Sequence, residues 1–540
     1  MTIGDCTWND FQTRFGALQT LGGVIRHWAA RTPDTPAVLN ATRGTSLTYG
    51  QLEEQAAAVA RALVKAGFRK GDCFATSLPL SDDHIVLEYA CFLAGVIHVP
   101  LDLRLSPAET ARSLRMVNAR GYATALPYGL PQDAPSPEHF FDASSLHEFL
   151  ARAVHEEPQA ALPEIAPNDG AQVIFTTGST GSPKAALLTH LGITAQNYCL
   201  GTAFEFEASR VMVHLPPSHV GCQAELLMTT LFWGGTAVTL EIFDPGKTLE
   251  AIEKYKVRLL GQIPAMFLME WRHSSYAERD LSSLEIAVYG GQSVPRPFLE
   301  KLRTMAPRIG TGLGLTEASG FCTYTPVTGD VDAVAASLGH AAPIYPMSIR
   351  EPMREDGSAG AELPPGEIGH VCFRGPQNFA GYLNDEEATR RALSTDGWLY
   401  TGDMGSVDEQ GLHFSGRAKW VIKPAGYQVF PGDVEDHICL LSDKVASCGV
   451  VGVPHPVWVE AIVAFVEKRP GAELTEAELR KHARGLTSYK RPLHYVILEP
   501  GQMPLNRVAK VDTLRLKAMA MEEVRQLQER GRWKSEMMEE

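Results

Sequence analysis

Hydrophobic positions along the chain switch between two rhythms. In "SLTYGQLEEQAAAVARALVKAGFRKGD" (46–72) a short alternating start gives way to a helical period. Leu52, Ala56, Val59, Leu63 and Val64 fall on one face, and Gly67 marks the stop. The next segment, "CFATSL", reads as a strand, followed by a helix over 83–95 and a strand in "GVIHVPL". The same alternation returns in 236–271, where a helix over 246–256 separates two apolar strands. Strands alternating with helices predict a layered α/β domain with a largely parallel sheet. No short repeat of the solenoid kind is visible. The Pro- and acid-rich stretch 155–170 reads as a surface connector. Beyond "TGDMGSVDEQGLHFSGRAKW" closely spaced turns predict small hairpins, then a compact α/β unit from about residue 420. The tail "KAMAMEEVRQLQERGRWKSEMMEE" is charged and reads as a solvated helix that frays.

Composition narrows the class. The 540 residues correspond to roughly 3 to 4 folding units of about 150 residues. With 44% apolar and 21% charged residues there is ample material for a core. A formal charge of −14 argues against a protein whose affinity rests on neutralising nucleic-acid phosphates. The nine cysteines form no C-x-x-C pair, the pattern expected of reduced thiols in a cytosolic enzyme. Asp5 and Asp10 stand where a signal peptide needs a basic flank and an apolar run. The longest apolar run (85–101) contains Glu88 and His98 and is shorter than the ~20 residues of a membrane helix. It reads as a buried helix leading into a strand.

Chemistry concentrates in "IFTTGSTGSPKAALLTH" (174–190). Gly178 and Gly181 let backbone approach a ligand, Thr176, Thr177, Ser179 and Thr180 offer hydroxyls, and Lys184 offers a mobile cation. Those are the groups that two phosphates require. A Walker loop is excluded: Pro183 stands where its second Gly belongs, and Ala185 follows the lysine in place of Ser or Thr. "GTGLG" within 310–314 also invites a dinucleotide reading, but Leu315 occupies the place of the third Gly.

The loop 174–190 resembles the phosphate loop of the adenylate-forming superfamily, which includes acyl- and aryl-CoA ligases, adenylation domains of peptide synthetases and luciferases. Ala185 replaces the final Gly of the usual pattern. Further segments resemble the family's other motifs in the order it requires, from about residue 45 to 517. In "GTGLGLTEASG" (310–320), comprising Gly312, Leu313, Gly314 and Leu315, the resemblance implies that Thr316 donates to the α-phosphate. Glu317 is implied to hold Mg²⁺, with Thr177 as the second metal-side group. Leu313 stands where the family places an aromatic on adenine. "DGWLYTGDMG" (396–405) resembles the ribose motif, with Asp403 accepting from both hydroxyls. In 416–436, Arg417 is implied to reach ribose or α-phosphate, and Gly426 to open the loop lining a pantetheine tunnel. Lys423 reads as a surface cation, and Trp420 replaces the usual hinge Asp. In 488–517, Lys510 fits the lysine that bridges carboxylate and α-phosphate, with Ala509 in place of a Gly.

The acid pocket is implied in two segments: "HLPPSHVGCQAELL" (214–227), with His219, and "IAVYGGQSVP" (286–295), with Tyr289, Gly290, Gly291 and Gln292. Pro216, Pro217 and Ser218 stand where amino-acid-activating members place an Asp, which argues against an α-amino acid. Val220, Leu226, Leu227, Met228 and Phe232 suggest an apolar pocket.

The resemblance implies an α/β fold: a large N-terminal domain (1–417) of layered α/β subdomains plus a β-barrel-like part, and a small mobile α+β domain (418–540). It implies an AMP-forming ligase that takes ATP, Mg²⁺, a carboxylic acid and coenzyme A. The acid is aromatic, alicyclic or medium-chain. Two alternatives remain: an enzyme that loads an acyl group onto a carrier-protein phosphopantetheine, and a non-catalytic nucleotide sensor. No nucleic-acid partner and no membrane insertion are expected; the oligomeric state, a homodimer included, is left open.

Overall fold

The computed structural model describes residues 2–156, 159–177, 183–505, 511–531 and 533, with the backbone alone at Thr177. Two compact units are interleaved along the chain. The larger comprises Met1–Glu362, Cys372–Thr401 and Val407–Leu412; the smaller comprises Leu363–Val371, Gly402–Ser406 and His413–Glu540.

Two seven-stranded sheets organise the larger unit. One runs in the order Gly381–Tyr382, Pro183–Thr189, Gly170–Thr177, Ile97–Pro100, Cys73–Ser77, Gly121–Thr124, His139–Asp142. Its strands from Gly170–Thr177 to His139–Asp142 pair in parallel, and Pro183–Thr189 folds back antiparallel on Gly170–Thr177. The other runs Arg308–Gly310, Ile286–Tyr289, Leu259–Gln262, Arg210–Val213, Thr236–Thr239, Pro36–Asn40, Thr45–Thr48. It is parallel apart from the pair Pro36–Asn40 and Thr45–Thr48.

The predicted helices form where the pattern placed them, at Tyr49–Lys65, Asp82–Ala94 and Pro245–Tyr255. Thr48 starts the first with a capping box to Gln51, and Gly67 follows it at φ +99°. Helices Asp82–Ala94 and His190–Ala203 are buried nearly all round, as their continuous apolar sequences require.

The first sheet encloses polar groups. Thr76, Glu88, His98 and Gln172 have no exposed surface or almost none. His98 Nδ1 lies 3.0 Å from Glu88 Oε1, which also accepts from Gln172 Nε2 at 2.8 Å. His84 Nε2 and His98 Nε2 are 3.3 Å apart. Burial pushes the Glu88 carboxyl up to about 7 and the His84 and His98 imidazoles down to about 4 and 3.

In the smaller unit, Val445–His455 pairs antiparallel with Val459–Lys468, which pairs in parallel with His494–Leu498. Alternate residues serve opposite faces. Val450, Ile462, Ala464 and Val466 pack with Val434, Ile438 and Leu479 of the helices Pro431–Cys439 and Glu476–His482. Val451, Val453, Val463 and Phe465 pack with Leu516, Ala520 and Val524 of the helix Thr513–Glu529. This corrects the expectation of a fraying, solvated tail: an apolar stripe at four-residue spacing lies among the charges and docks on the sheet.

All nine cysteines are free, and Cys439 is the exposed one. Among the described residues, no helix is long and apolar enough to cross a membrane.

Candidate active site

The strands on either side of the Gly/Thr-rich segment pair with each other, Thr176 with Lys184 and Thr177 with Pro183. Gly178, Ser179, Thr180 and Gly181 lie outside the described residues, as does the Thr177 side chain. Ala185 is buried and packs in the sheet's hydrophobic core, and its carbonyl accepts from the Leu383 N–H at 2.8 Å. A methyl at this position therefore fills space that a glycine would leave empty.

The edge strand Gly381–Tyr382 pairs with Pro183–Thr189 and supplies a residue the motifs did not announce. Lys184 Nζ stands 4.7 Å from the centroid of the Tyr382 ring. The Tyr382 hydroxyl donates to Glu317 Oε1 at 2.6 Å. One tyrosine thus joins the cation of the first motif to the carboxylate of the second: ring face to ammonium, hydroxyl to carboxylate.

Glu317 is anchored by its backbone as well, since its carbonyl accepts from the Phe379 N–H at 2.9 Å. It lies in the turn Thr316–Ala318, closed by the short antiparallel pair Gly314–Leu315 and Gly320–Phe321. Ser319 ends the turn in the left-handed region (φ 58°), and its hydroxyl donates to the Gln377 carbonyl at 3.0 Å. Gly312 is required by contact: a Cβ there would overlap the Thr323 carbonyl. The Leu313 N–H donates to Thr323 Oγ1 at 2.9 Å, and its half-buried side chain takes the place of the family's aromatic.

With Oε1 engaged by Tyr382, Glu317 keeps Oε2 for a cation. One hard carboxylate oxygen fits Mg²⁺, which favours few protein ligands and completes its shell with phosphate oxygens and water. Among the described residues, no group of three His, Cys, Asp or Glu gathers into a metal cage of its own.

The segments expected on the acid side include Gly290, which approaches the same ring as Gly312. A Cβ at Gly290 would sit 3.2 Å from the Phe321 ring, and one at Gly312 would sit 3.0 Å from the same ring. Gly291 (φ 91°) and Gln292 are exposed. His219, also exposed, begins an irregular turn: its carbonyl accepts from the N–H groups of Cys222 and Gln223 at 3.1 and 3.2 Å. The segment that follows, Gly221–Met228, is wound as a π-helix, a rare form often found at functional sites.

Several expected pocket walls belong instead to the core. Tyr289 is 6% exposed and packs against Phe298. Leu227 and Met228 are buried, and Phe232 sits in an aromatic cluster with Phe15 and Trp233. Their apolar character answers to packing. The sequence also gave no warning of the relay beneath the segment. His214 Nε2 lies 2.7 Å from Gln262 Oε1, and Gln262 Nε2 donates to Glu270 Oε2 at 2.7 Å. Burial holds the Glu270 carboxyl at about 8.

In the smaller unit, Asp403 is 1% exposed, and Arg417 Nε lies 2.8 Å from its Oδ1. The two motif residues are thus paired with each other. Trp420 closes a short 3₁₀ turn, with Lys419 Nζ 4.8 Å from its ring. Lys423 is exposed, and its backbone N–H donates to Glu460 Oε2 at 2.7 Å. Gly426 (φ 87°) is exposed, in a loop whose neck is the bridge between Ile422 and Val429. Lys510 lies outside the described residues, together with 506–509. Leu505 and Val511, the described residues on either side, form an antiparallel bridge.

A family model described as AMP-binding enzyme matches residues 25–383, and one described as AMP-binding enzyme C-terminal domain matches 434–510. The chain is 32% identical to a feruloyl-CoA synthase of Amycolatopsis over 485 residues, covering 88% of this chain and 94% of that protein. It is 26% identical to a 4-coumarate–CoA ligase of Humulus lupulus, covering 88% and 90%. Among solved structures, ATP-bound MatB from Rhodopseudomonas palustris superposes with a TM-score of 0.80 at 24% identity, covering 93% of this chain and 99% of that one.

Proposed function

The chain belongs to the AMP-binding enzyme family, and from that premise we propose that it is an ATP-dependent, AMP-forming acid–CoA ligase. The observation that carries this reading is the join of Lys184 and Glu317 through Tyr382. It puts a phosphate-seeking cation and a metal-seeking carboxylate on one support. The relatives named as CoA ligases, matched over nearly their whole length, support the same activity.

In the first step a carboxylate oxygen of the acid attacks the α-phosphorus of ATP. The bond from that phosphorus to the bridging oxygen breaks, and pyrophosphate leaves with the electron pair. The hydroxyls and backbone of Thr176–Gly181, with Lys184, hold the leaving diphosphate. Thr316 donates to the α-phosphate. Lys510 offsets the charge where anion meets anion. Mg²⁺, held by Glu317 and Thr177 on the protein side, would neutralise phosphate charge. Gly312, Leu313, Gly314 and Leu315 form the floor for the base, and Asp403 with Arg417 takes the ribose. In the second step the CoA sulfur, having lost its proton, attacks the acyl carbon; the C–O bond to AMP breaks and the thioester forms. Residues 418–540 deliver Lys510 for the first step and the Gly426 loop for the second. His219, Gly290, Gly291 and Gln292 contact the acid.

The test is a panel of carboxylic acids with ATP, Mg²⁺ and CoA, followed for AMP and thioester. Acid-dependent AMP with CoA consumption supports the ligase. AMP formation that needs a phosphopantetheinyl protein in place of CoA would reassign the acceptor. No AMP with any acid would leave a nucleotide sensor.

A further inference from the structure

Glu460 sits where the alternation of its strand calls for an apolar residue. In Val459–Lys468 it falls on the face of Ile462, Ala464 and Val466, which pack with Val434, Ile438 and Leu479. Its half-buried side chain turns instead to the loop 423–428, where Oε2 accepts from the Lys423 N–H at 2.7 Å. Gly452, on the neighbouring strand, makes room for this arrangement. A Cβ there would meet Ile422 Cγ2 at 2.8 Å and Glu460 Oε1 at 3.4 Å.

A second hold comes from the adjoining hairpin tip. His455 pairs with Val459 and leaves Pro456, Val457 and Trp458 as the turn. His455 Nδ1 accepts from the N–H groups of Val457 and Trp458 at 3.2 and 3.1 Å. Val459 lies in the left-handed region at φ 68°, although it is β-branched. It is 69% exposed, so packing of its own side chain does not keep it there. Strain of this kind persists where surrounding contacts fix the backbone. The Trp458 carbonyl accepts from the Ala425 N–H at 2.7 Å. Two residues on, the Tyr427 ring stacks on Tyr489 with centroids 4.4 Å apart and planes within 10°. The loop is thus fastened at 423, 425 and 427, while Ala425, Gly426, Tyr427 and Gln428 are exposed.

We propose that Glu460 is a positioning residue for the thiol step: with the Trp458 carbonyl it fixes the Gly426 loop in the shape that receives the CoA arm. Exposed side chains give this loop little packing, so directed hydrogen bonds and one ring stack determine its shape. An N–H released from its acceptor turns to water, and the loop samples other shapes. Glu460 acts through the backbone of 423–426 and touches no reacting atom. This inference rests on the ligase reading above, in which adenylation does not use the loop, so the two half-reactions should separate.

The experiment reads them separately on the full chain. Adenylation is followed as acid-dependent exchange of labelled pyrophosphate into ATP, and the thiol step as thioester formed from supplied acyl-AMP and CoA. Amide hydrogen exchange over 421–429 reads the hold without substrate. E460A should lower kcat/KM for CoA by about tenfold, the loss of one hydrogen bond to a carboxylate partly replaced by water. It should leave pyrophosphate exchange within about twofold of wild type and speed amide exchange at Lys423. E460Q keeps an acceptor oxygen and should restore both readings to within about threefold. E460V, a strand former without an acceptor, replaces E460A if the alanine variant does not melt cooperatively. A general fault in this unit would lower adenylation too, because the same unit carries Lys510. Equal slowing of both half-reactions, an unchanged thiol step in the Ala or Val variant, or a Gln variant no better than Ala overturns the inference while the ligase reading stands. A wild type that makes no thioester from any acyl-AMP overturns both.

Discussion

Replacing Tyr382 by Phe removes one oxygen and leaves the ring. The lost contact is the 2.6 Å hydrogen bond to Glu317 Oε1. A hydrogen bond to a charged group contributes about 1.5–3 kcal/mol. At 1.4 kcal/mol per factor of ten, kcat/KM for Mg·ATP should fall between about 10- and 150-fold. Water can reach the freed carboxylate, which is half-buried, so the lower end is expected. The Lys184 ammonium remains over the aromatic face. Tyr382→Leu removes that as well, a further ~0.5–1 kcal/mol or about 2- to 5-fold. The assay is pyrophosphate release with any accepted acid, varying Mg·ATP and then free Mg²⁺ at fixed ATP. The Phe variant should need more Mg²⁺ for half-maximal rate and melt within a few degrees of wild type. If Phe and Leu variants both match wild type within twofold at limiting Mg·ATP, the tyrosine link is structural decoration and the role given to Glu317 is wrong.

Lys510→Ala should nearly abolish adenylation while sparing thioester formation from supplied acyl-AMP; equal loss in both half-reactions would withdraw its assignment. His219→Ala should shift acid selectivity or rate more than the KM for ATP, and an effect confined to ATP would place the histidine elsewhere. Glu88→Gln tests the buried polar core through pH. A carboxyl held near 7 in the fold and near 4.5 when unfolded favours the folded state below about 4.5 and loses that favour as pH rises to about 7. Melting temperature of the Gln variant relative to wild type should therefore climb from pH 4.5 to 7 and level off above, with His84 and His98 unchanged in both proteins. A difference that stays flat across that range would mean the carboxyl is not held protonated.

What could be read in advance was what the chain encodes locally. Leu52, Ala56, Val59 and Leu63 set one face of a helix that Gly67 stops, and Gly312, Thr316 and Glu317 sit in one uninterrupted motif. Tyr382 stands 65 residues from the carboxylate it binds, in a two-residue edge strand, and no periodicity flags it. The apolar run around 220–232 drew attention as a pocket wall. Leu227, Met228 and Phe232 show why that failed: apolar side chains face the core and a pocket alike, and sequence does not tell them apart. The tail helix was missed for the opposite reason. Its charges are more numerous than the stripe at Leu516, Ala520, Val524 and Leu527, though the stripe determines where it goes.

That docked helix changes how truncations should be interpreted. Asp512 caps it by accepting from the Arg515 N–H at 3.0 Å, and the adjacent Val511 forms a bridge with Leu505. A chain cut ahead of Asp512, just after Lys510 in the sequence, strips that helix from one side of the sheet. Inactive shortened forms would thus report lost scaffolding, and only point changes can reveal what the ammonium contributes to chemistry.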